Sequence, residues 1–190
     1  AIGNTAIGVN ALYSNTTGNY NTASGRNALY FNTSGGVNIA IGFGALYSNT
    51  TGTQNTVIGF GALAYNTIGS YNISIGSQAL EQNTTGNYNT AIGHEAMLFS
   101  GTGSDNTASG AYALQYNTTG NENTANGVEA LRFNSSGSNN TALGYWAGKL
   151  GSVHSQSTFI GSNSNLATSR INATLLGYGI VNAQCTGNNQ

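Results

Sequence analysis

The chain has no proline, one cysteine (Cys185), and only four basic and five acidic side chains in 190 residues. Each scarcity excludes something. Arg26, Arg132, Lys149 and Arg170 are too few and too scattered to form the clustered basic face that a phosphate backbone requires, so nucleic acid is not an expected partner. The same lack of charge argues against an amphipathic helix lying on a membrane surface. No apolar run approaches the roughly 18 residues of a bilayer-spanning helix. A lone cysteine permits no internal disulfide and leaves the redox compartment open.

What the chain does have is repetition. Counting from Asn4, the 17-residue pattern Asn-Thr-Ala-Ile-Gly-x-x-Ala-Leu-x-x-Asn-Thr-Thr-Gly-x-x occurs nine times, opening at Asn4, Asn21, Asn38, Asn55, Asn72, Asn89, Asn106, Asn123 and Asn140. There is no insertion or deletion between copies. A strict period of this length marks a solenoid whose coils stack into a rod. It also turns a composition that would otherwise suggest a flexible linker, rich in glycine, asparagine, serine and threonine, into one that predicts order.

Numbering slots 1 to 17 from each opening asparagine separates roles. Slot 5 is glycine and slot 8 alanine in all nine copies, slot 9 is leucine in seven, and slot 15 is glycine in eight. β-Branched residues at slots 2 and 4 predict a short strand that slot 5 ends. Slots 8 to 11, with aromatics such as Tyr13, Tyr30, Phe31, Tyr47, Tyr65, Phe99, Tyr116 and Phe133, read as a second strand, and slots 12 to 15 as a turn. The expected fold is therefore all-β: a parallel β-solenoid, or β-roll, of ten to eleven coils. Alternation puts slot 3, with slots 8 and 9, in a thin Ala/Leu core. Slots 2 and 4 then stand outside, and Ile7, Ile41, Ile58, Ile75 and Ile92 form an apolar stripe expected to be a self-association seam. Residues 1–157 hold the regular period, 158–183 are variant C-terminal coils, and 184–190 read as a tail. The chain begins at Ala1 with no recognisable cap, consistent with a processed product or part of something longer. An open N-terminal coil and an atypical C-terminal one raise the expectation of end-to-end stacking into a filament.

The pattern Asn-Thr-Ala-Ile-Gly-x-x-Ala resembles the Asn-Ser-Val-Ala-Ile-Gly-x-x-Ala repeat of YadA-type trimeric autotransporter adhesin heads, and related repeats of phage tail-fibre-like proteins. The resemblance covers roughly residues 1–183, including Thr158-Phe-Ile-Gly161 and Asn172-Ala-Thr-Leu-Leu-Gly177. It implies left-handed coils, three chains to a head, an extracellular location (secreted, cell-surface or virion fibre), and adhesion to a host surface or glycan receptor rather than catalysis. The family repeat is shorter, so the Asn-Thr-Thr-Gly run here implies a longer arm.

Sites for chemistry are few. His94 and His154 have no partner at a motif spacing and read as surface histidines. Glu95 and Glu129 share slot 7 two coils apart, about 10 Å by coil spacing, and read as solvated surface. The aspartate-rich calcium-roll motif is absent, and no cofactor or metal is expected. Asn15, Asn32, Asn49, Asn83, Asn117 and Asn134 each begin an Asn-x-Ser/Thr glycosylation acceptor, although an asparagine ladder capping the turns is the simpler reading. The expected function is structural, a self-associating fibre or filament subunit. The alternative is an ice-binding or carbohydrate-binding solenoid that uses threonine ladders at slots 2 and 13, or the aromatic ladders.

Overall fold

The β-branched residues at slots 2 and 4 build one three-residue strand in each coil. The computed structural model describes residues 1–182 and contains no helix among them, so none long and apolar enough to cross a membrane. The expected tail and Cys185 lie outside the described residues. The strands are β1 (Thr5–Ile7), β2 (Thr22–Ser24), β3 (Ile39–Ile41), β4 (Thr56–Ile58), β5 (Ile73–Ile75), β6 (Thr90–Ile92) and β7 (Thr107–Ser109). They continue with β8 (Thr124–Asn126), β9 (Thr141–Leu143), β10 (Thr158–Ile160), β11 (Asn165–Leu166), β12 (Thr174–Leu176) and β13 (Val181–Asn182). β1 to β10 and β12 pair in sequence order as one eleven-stranded parallel sheet, while β11 and β13 form a separate pair. Thr5 faces Thr22, Ile41 faces Ile58 and Thr141 faces Thr158, so the 17-residue step persists through β10. It shortens to 16 between Thr158 and Thr174. The protein is a parallel β-solenoid about 48 Å long by strand spacing.

The second strand expected over slots 8 to 11 does not form. The slot 9 residues Leu12, Leu29, Leu46, Leu63, Leu80, Met97, Leu114 and Leu131 all have φ between 49 and 54°, a left-handed conformation that ends a strand and costs an L-residue about 1–2 kcal/mol. Slots 7 and 17 are left-handed too, as at Asn27 (φ 61°) and Val37 (φ 59°). Stacking offsets this strain. The Leu29 N–H donates to the Ala45 carbonyl of the next coil (3.0 Å), and those of Asn27 and Val37 donate to Val9 and Asn19 of the previous one (2.9 Å each). The slot 9 side chain, turned inward, is fully buried from Leu29 to Leu131.

Slots 3, 8 and 9 form the apolar half of the interior, as at Ala40, Ala45 and Leu46, all fully buried. The other half is amide. From Asn32 to Asn83 each slot 12 asparagine donates both Nδ2 hydrogens: Asn49 to the Gly52 carbonyl of its own coil (3.0 Å) and to Asn32 Oδ1 of the previous one (2.8 Å). Each slot 1 asparagine donates Nδ2 to the same slot 15 carbonyl and accepts the next slot 1 backbone N–H. Asn38 does so with Gly52 (2.9 Å) and Asn55 (3.0 Å). One glycine carbonyl thus holds two ladders. A Cβ at slot 15 would collide with the next glycine carbonyl and the slot 12 amide, which excludes any other residue where slot 12 is asparagine.

The slot 12 ladder runs from Asn15 to Asn83 and is interrupted where Ser100 and Gly101 replace Asn-Thr; beyond it Asn117 Oδ1 is buried without a partner. Asn66→Ala removes two donors and leaves the buried oxygen of Asn49 unpaired, so it should lower stability by about 2–4 kcal/mol in urea denaturation. Ser100→Asn alone, which restores the amide and leaves Gly101 (φ 53°) free of a Cβ that would crowd the Thr118 carbonyl, should raise stability by roughly 1 kcal/mol in the same measurement.

Candidate functional site

Side chains leave the coil on two surfaces. One is the outer face of the sheet. The alternation in β1 to β9 buries slot 3 from β2 onward and turns slots 2 and 4 outward. Ile7, Ile41, Ile58 and Ile92 are 38 to 63% exposed and Ile75 is half-buried, so the expected stripe lies on the surface. Ile39 and Ile73 at slot 2 widen it in coils 3 and 5. Around the slot 5 bend, exposed Phe43 and Phe60 at slot 6 continue the apolar surface.

The second surface is the edge where slots 6 and 7 face slots 10 and 11 across the left-handed turn. Rings stack here coil upon coil: Tyr13, Tyr30 and Tyr47 at slot 10 (centroids 5.1 and 5.3 Å apart), Phe99, Tyr116 and Phe133 at slot 11 (5.1 and 5.5 Å), and Phe43 on Phe60 (5.4 Å). These spacings follow the coil repeat and suit offset stacking.

Over coils 6 to 9 the same edge gathers four of the nine charged side chains into one network that sequence reasoning missed. Glu129 Oε2 accepts from Arg132 Nη1 (2.8 Å) and Lys149 Nζ (2.6 Å). Arg132 Nε donates to Gln115 Oε1 (2.8 Å), and Gln115 Nε2 to Glu95 Oε2 (2.6 Å). His94 lies 3.1 Å from Glu95, and Lys149 Nζ sits 3.7 Å over the Trp146 ring. Burial by itself would raise the Glu129 carboxyl, but the bonds from Lys149 and Arg132 outweigh it and hold it below the usual carboxylate range. Glu95 and Glu129 are thus tied into a bridge rather than solvated. The signal was present: slots 7 and 10 stand three residues apart and carry opposite charge at Glu129 and Arg132. Among the described residues, no three His, Cys, Asp or Glu side chains are grouped to hold a metal ion.

Three readings from sequence need correction. The slot 12 acceptor asparagines are not presented for glycosylation: Asn32, Asn49, Asn83, Asn117 and Asn134 are fully buried and Asn15 half-buried, with Nδ2 donating inward, and Asn72, a further acceptor, is buried too, whereas the acceptors Asn139 and Asn172 outside slot 12 are exposed. The slot 13 threonines do not offer free hydroxyls, because Thr33 Oγ1 donates to the Thr50 carbonyl (2.9 Å) and its copies do likewise. His154 is not a surface histidine. It occupies slot 15 of coil 9, where Gly151 replaces the slot 12 asparagine and leaves room for the ring. Phe159 similarly fills the space left by Gly148 at slot 9, and packs on His154 (4.8 Å). Two side chains lost to glycine, at Gly148 and Gly151, and two larger ones gained, at His154 and Phe159, within twelve residues were the sequence signal.

These features define a repeat β-solenoid with an apolar sheet face and an aromatic, partly charged edge. Compared with known proteins, the chain matches no family model, no curated protein and no solved structure.

Burial of His154, with neither ring nitrogen hydrogen-bonded, lowers its pKa from 6.5 to about 4. The folded state therefore binds fewer protons than the unfolded one. The stability of coil 9 should be full above pH 6.5 and fall by about 1.4 kcal/mol per pH unit toward pH 4. Amide exchange at Ser155 and Ser157, corrected for intrinsic rates, should lose protection across that window while coils 3 to 5 keep theirs.

Proposed function

We propose that the protein is a structural subunit of an extracellular fibre or filament, assembled by contact between copies of this chain through the sheet face. The carrying observation is the isoleucine column on the outer face of the sheet, unbroken from Ile41 to Ile92 and giving way to Ser24, Ser109 and Asn126 in other coils. Contiguous apolar surface on a soluble protein marks an interface, and a net charge of −1 gives little repulsion between copies. Slots 2 and 4 lie outside both interior halves, so these isoleucines contribute little to a single coil. A trimer around a common axis, as the adhesin-head resemblance implies, would cover the column on three chains at once. Adhesion to a host surface would then be exerted from the edges left free.

A second reading draws on slot 2, where Thr5, Thr22, Thr56, Thr90, Thr107, Thr124 and Thr141 point outward in register at the coil spacing. Such an array could order water against ice. Ile39 and Ile73 interrupt it. Absence of thermal hysteresis and of ice-crystal shaping would remove this reading.

The fibre reading predicts a mass of about three times 19.4 kDa, or an indefinite series, in light scattering. Ile58→Lys with Ile75→Lys should return the chain to 19.4 kDa with its circular dichroism unchanged. A wild-type monomer at high concentration would sink the proposal.

A further inference from the structure

Coils 3 and 4 differ from the others at the slot 6–11 edge. Slot 7 is Asn10, Asn27, Gln78, Glu95, Tyr112, Glu129 or Trp146 elsewhere, all at positive φ between 52 and 61°. Only Gly44 and Gly61 lack a side chain there. The backbone does not demand it, since non-glycine residues adopt the same conformation in seven sister coils. Nor does crowding: a Cβ on Gly44 would meet nothing within 4 Å, and one on Gly61 only Glu81 Oε1 at 3.7 Å and Gln78 Cγ at 3.8 Å. Slot 10 is also cut back in coil 4, to Ala64. Three missing side chains in adjacent coils open a groove of about 270 Å³, floored by Gly44, Gly61 and Ala64.

Its walls are aromatic and its ends polar. The Tyr13–Tyr30–Tyr47 stack stops at Tyr47 because Ala64 takes the next rung, and the Phe43–Phe60 stack stops at Phe60 because Ser77 follows. Phe43, Phe60 and Tyr65 are each about half exposed. At one end Asn27 Oδ1 accepts from Asn10 (3.2 Å), leaving its Nδ2 as a donor. At the other, Glu81 Oε2 accepts from Gln78 (2.9 Å) while Oε1 faces the groove floor. Arg26 lies beyond Phe43 (5.8 Å from its ring), outside the lining. From coil 2 to coil 5 the groove spans about 14 Å. Over coils 6 to 9 the same channel is occupied by Glu95, Tyr112, Glu129 and Trp146.

We propose that this groove binds a neutral saccharide. A pyranose presents C–H groups on its ring faces and hydroxyls at its rim. That matches ring walls that have lost their next rung, with an amide donor and a carboxylate acceptor at the ends. A peptide strand fits less well, because it would need free backbone groups. The N–H groups of Gly44 and Gly61 already donate to Arg26 and Phe43 of the previous coils (3.0 and 2.9 Å). An anionic ligand is disfavoured by Glu81, the one charged side chain in the lining. The site is complete within one chain, so it does not rest on the fibre reading.

Isothermal titration of the chain with cellotetraose, maltotetraose, mannotetraose and N-acetylchitotetraose tests it. At least one should give saturable binding. Gly61→Gln fills the groove with the side chain that coil 5 carries at the same slot, and should weaken that binding roughly tenfold or more with circular dichroism unchanged. Phe60→Ala should weaken it comparably. If Gly61→Gln fails to fold, Gly44→Asn, matching coil 2, takes its place. No binding by any of the four sugars, or binding that survives both groove variants, overturns the proposal.

Discussion

The carbonyl of the slot 15 glycine is the point on which the coil depends. It accepts from a slot 1 and a slot 12 asparagine of its own coil, as Gly52 does from Asn38 and Asn49. Those asparagines in turn link to their copies in adjacent coils. Buried amides are costly unless every donor and acceptor is met, and low polarity strengthens bonds that are met. Because the partners recur at a fixed spacing, the requirement is satisfied by repetition itself. It also explains why slot 15 is glycine wherever slot 12 is asparagine: a side chain would occupy the place of the hydrogen bond. Where His154 takes slot 15, slot 12 has become Gly151.

The apolar half of the interior is thin, made of Ala and Leu in single file, and would be a weak core for an isolated domain. What it lacks in thickness it makes up in continuity, since each leucine is covered by its copies above and below. The left-handed turn at slot 9 belongs to the same arrangement. It aims the leucine inward and directs its N–H to the next coil, so local strain is tolerated only because coils stack. Folding of one coil and its pairing with the next are therefore a single event.

Much of this was legible in the sequence, and the misses share a cause. Slots 3, 8 and 9 as core, slots 2 and 4 as the outer face, and the parallel stack follow from period and alternation alone. The second strand was misread because leucine at positive φ has no compositional mark; its residue type argues for strand or helix, and only inter-coil bonding makes the turn acceptable. His154 was misread because it was weighed alone, whereas its burial depends on Gly148, Gly151 and Phe159 changing with it. The bridge from His94 to Lys149 was missed because slots 7 and 10 were counted separately. Their proximity is a property of the turn between them, not of either residue.

The slot 12 ladder has one more consequence. Each amide from Asn32 to Asn83 donates to the coil before it and never to the coil after. The carboxamide dipoles therefore align along the axis, and the rod has an intrinsic polarity, like an arrow. Turning a coil end for end would set oxygen against oxygen along this seam. Any coil joined to the stack through these amides must point the same way as the rest.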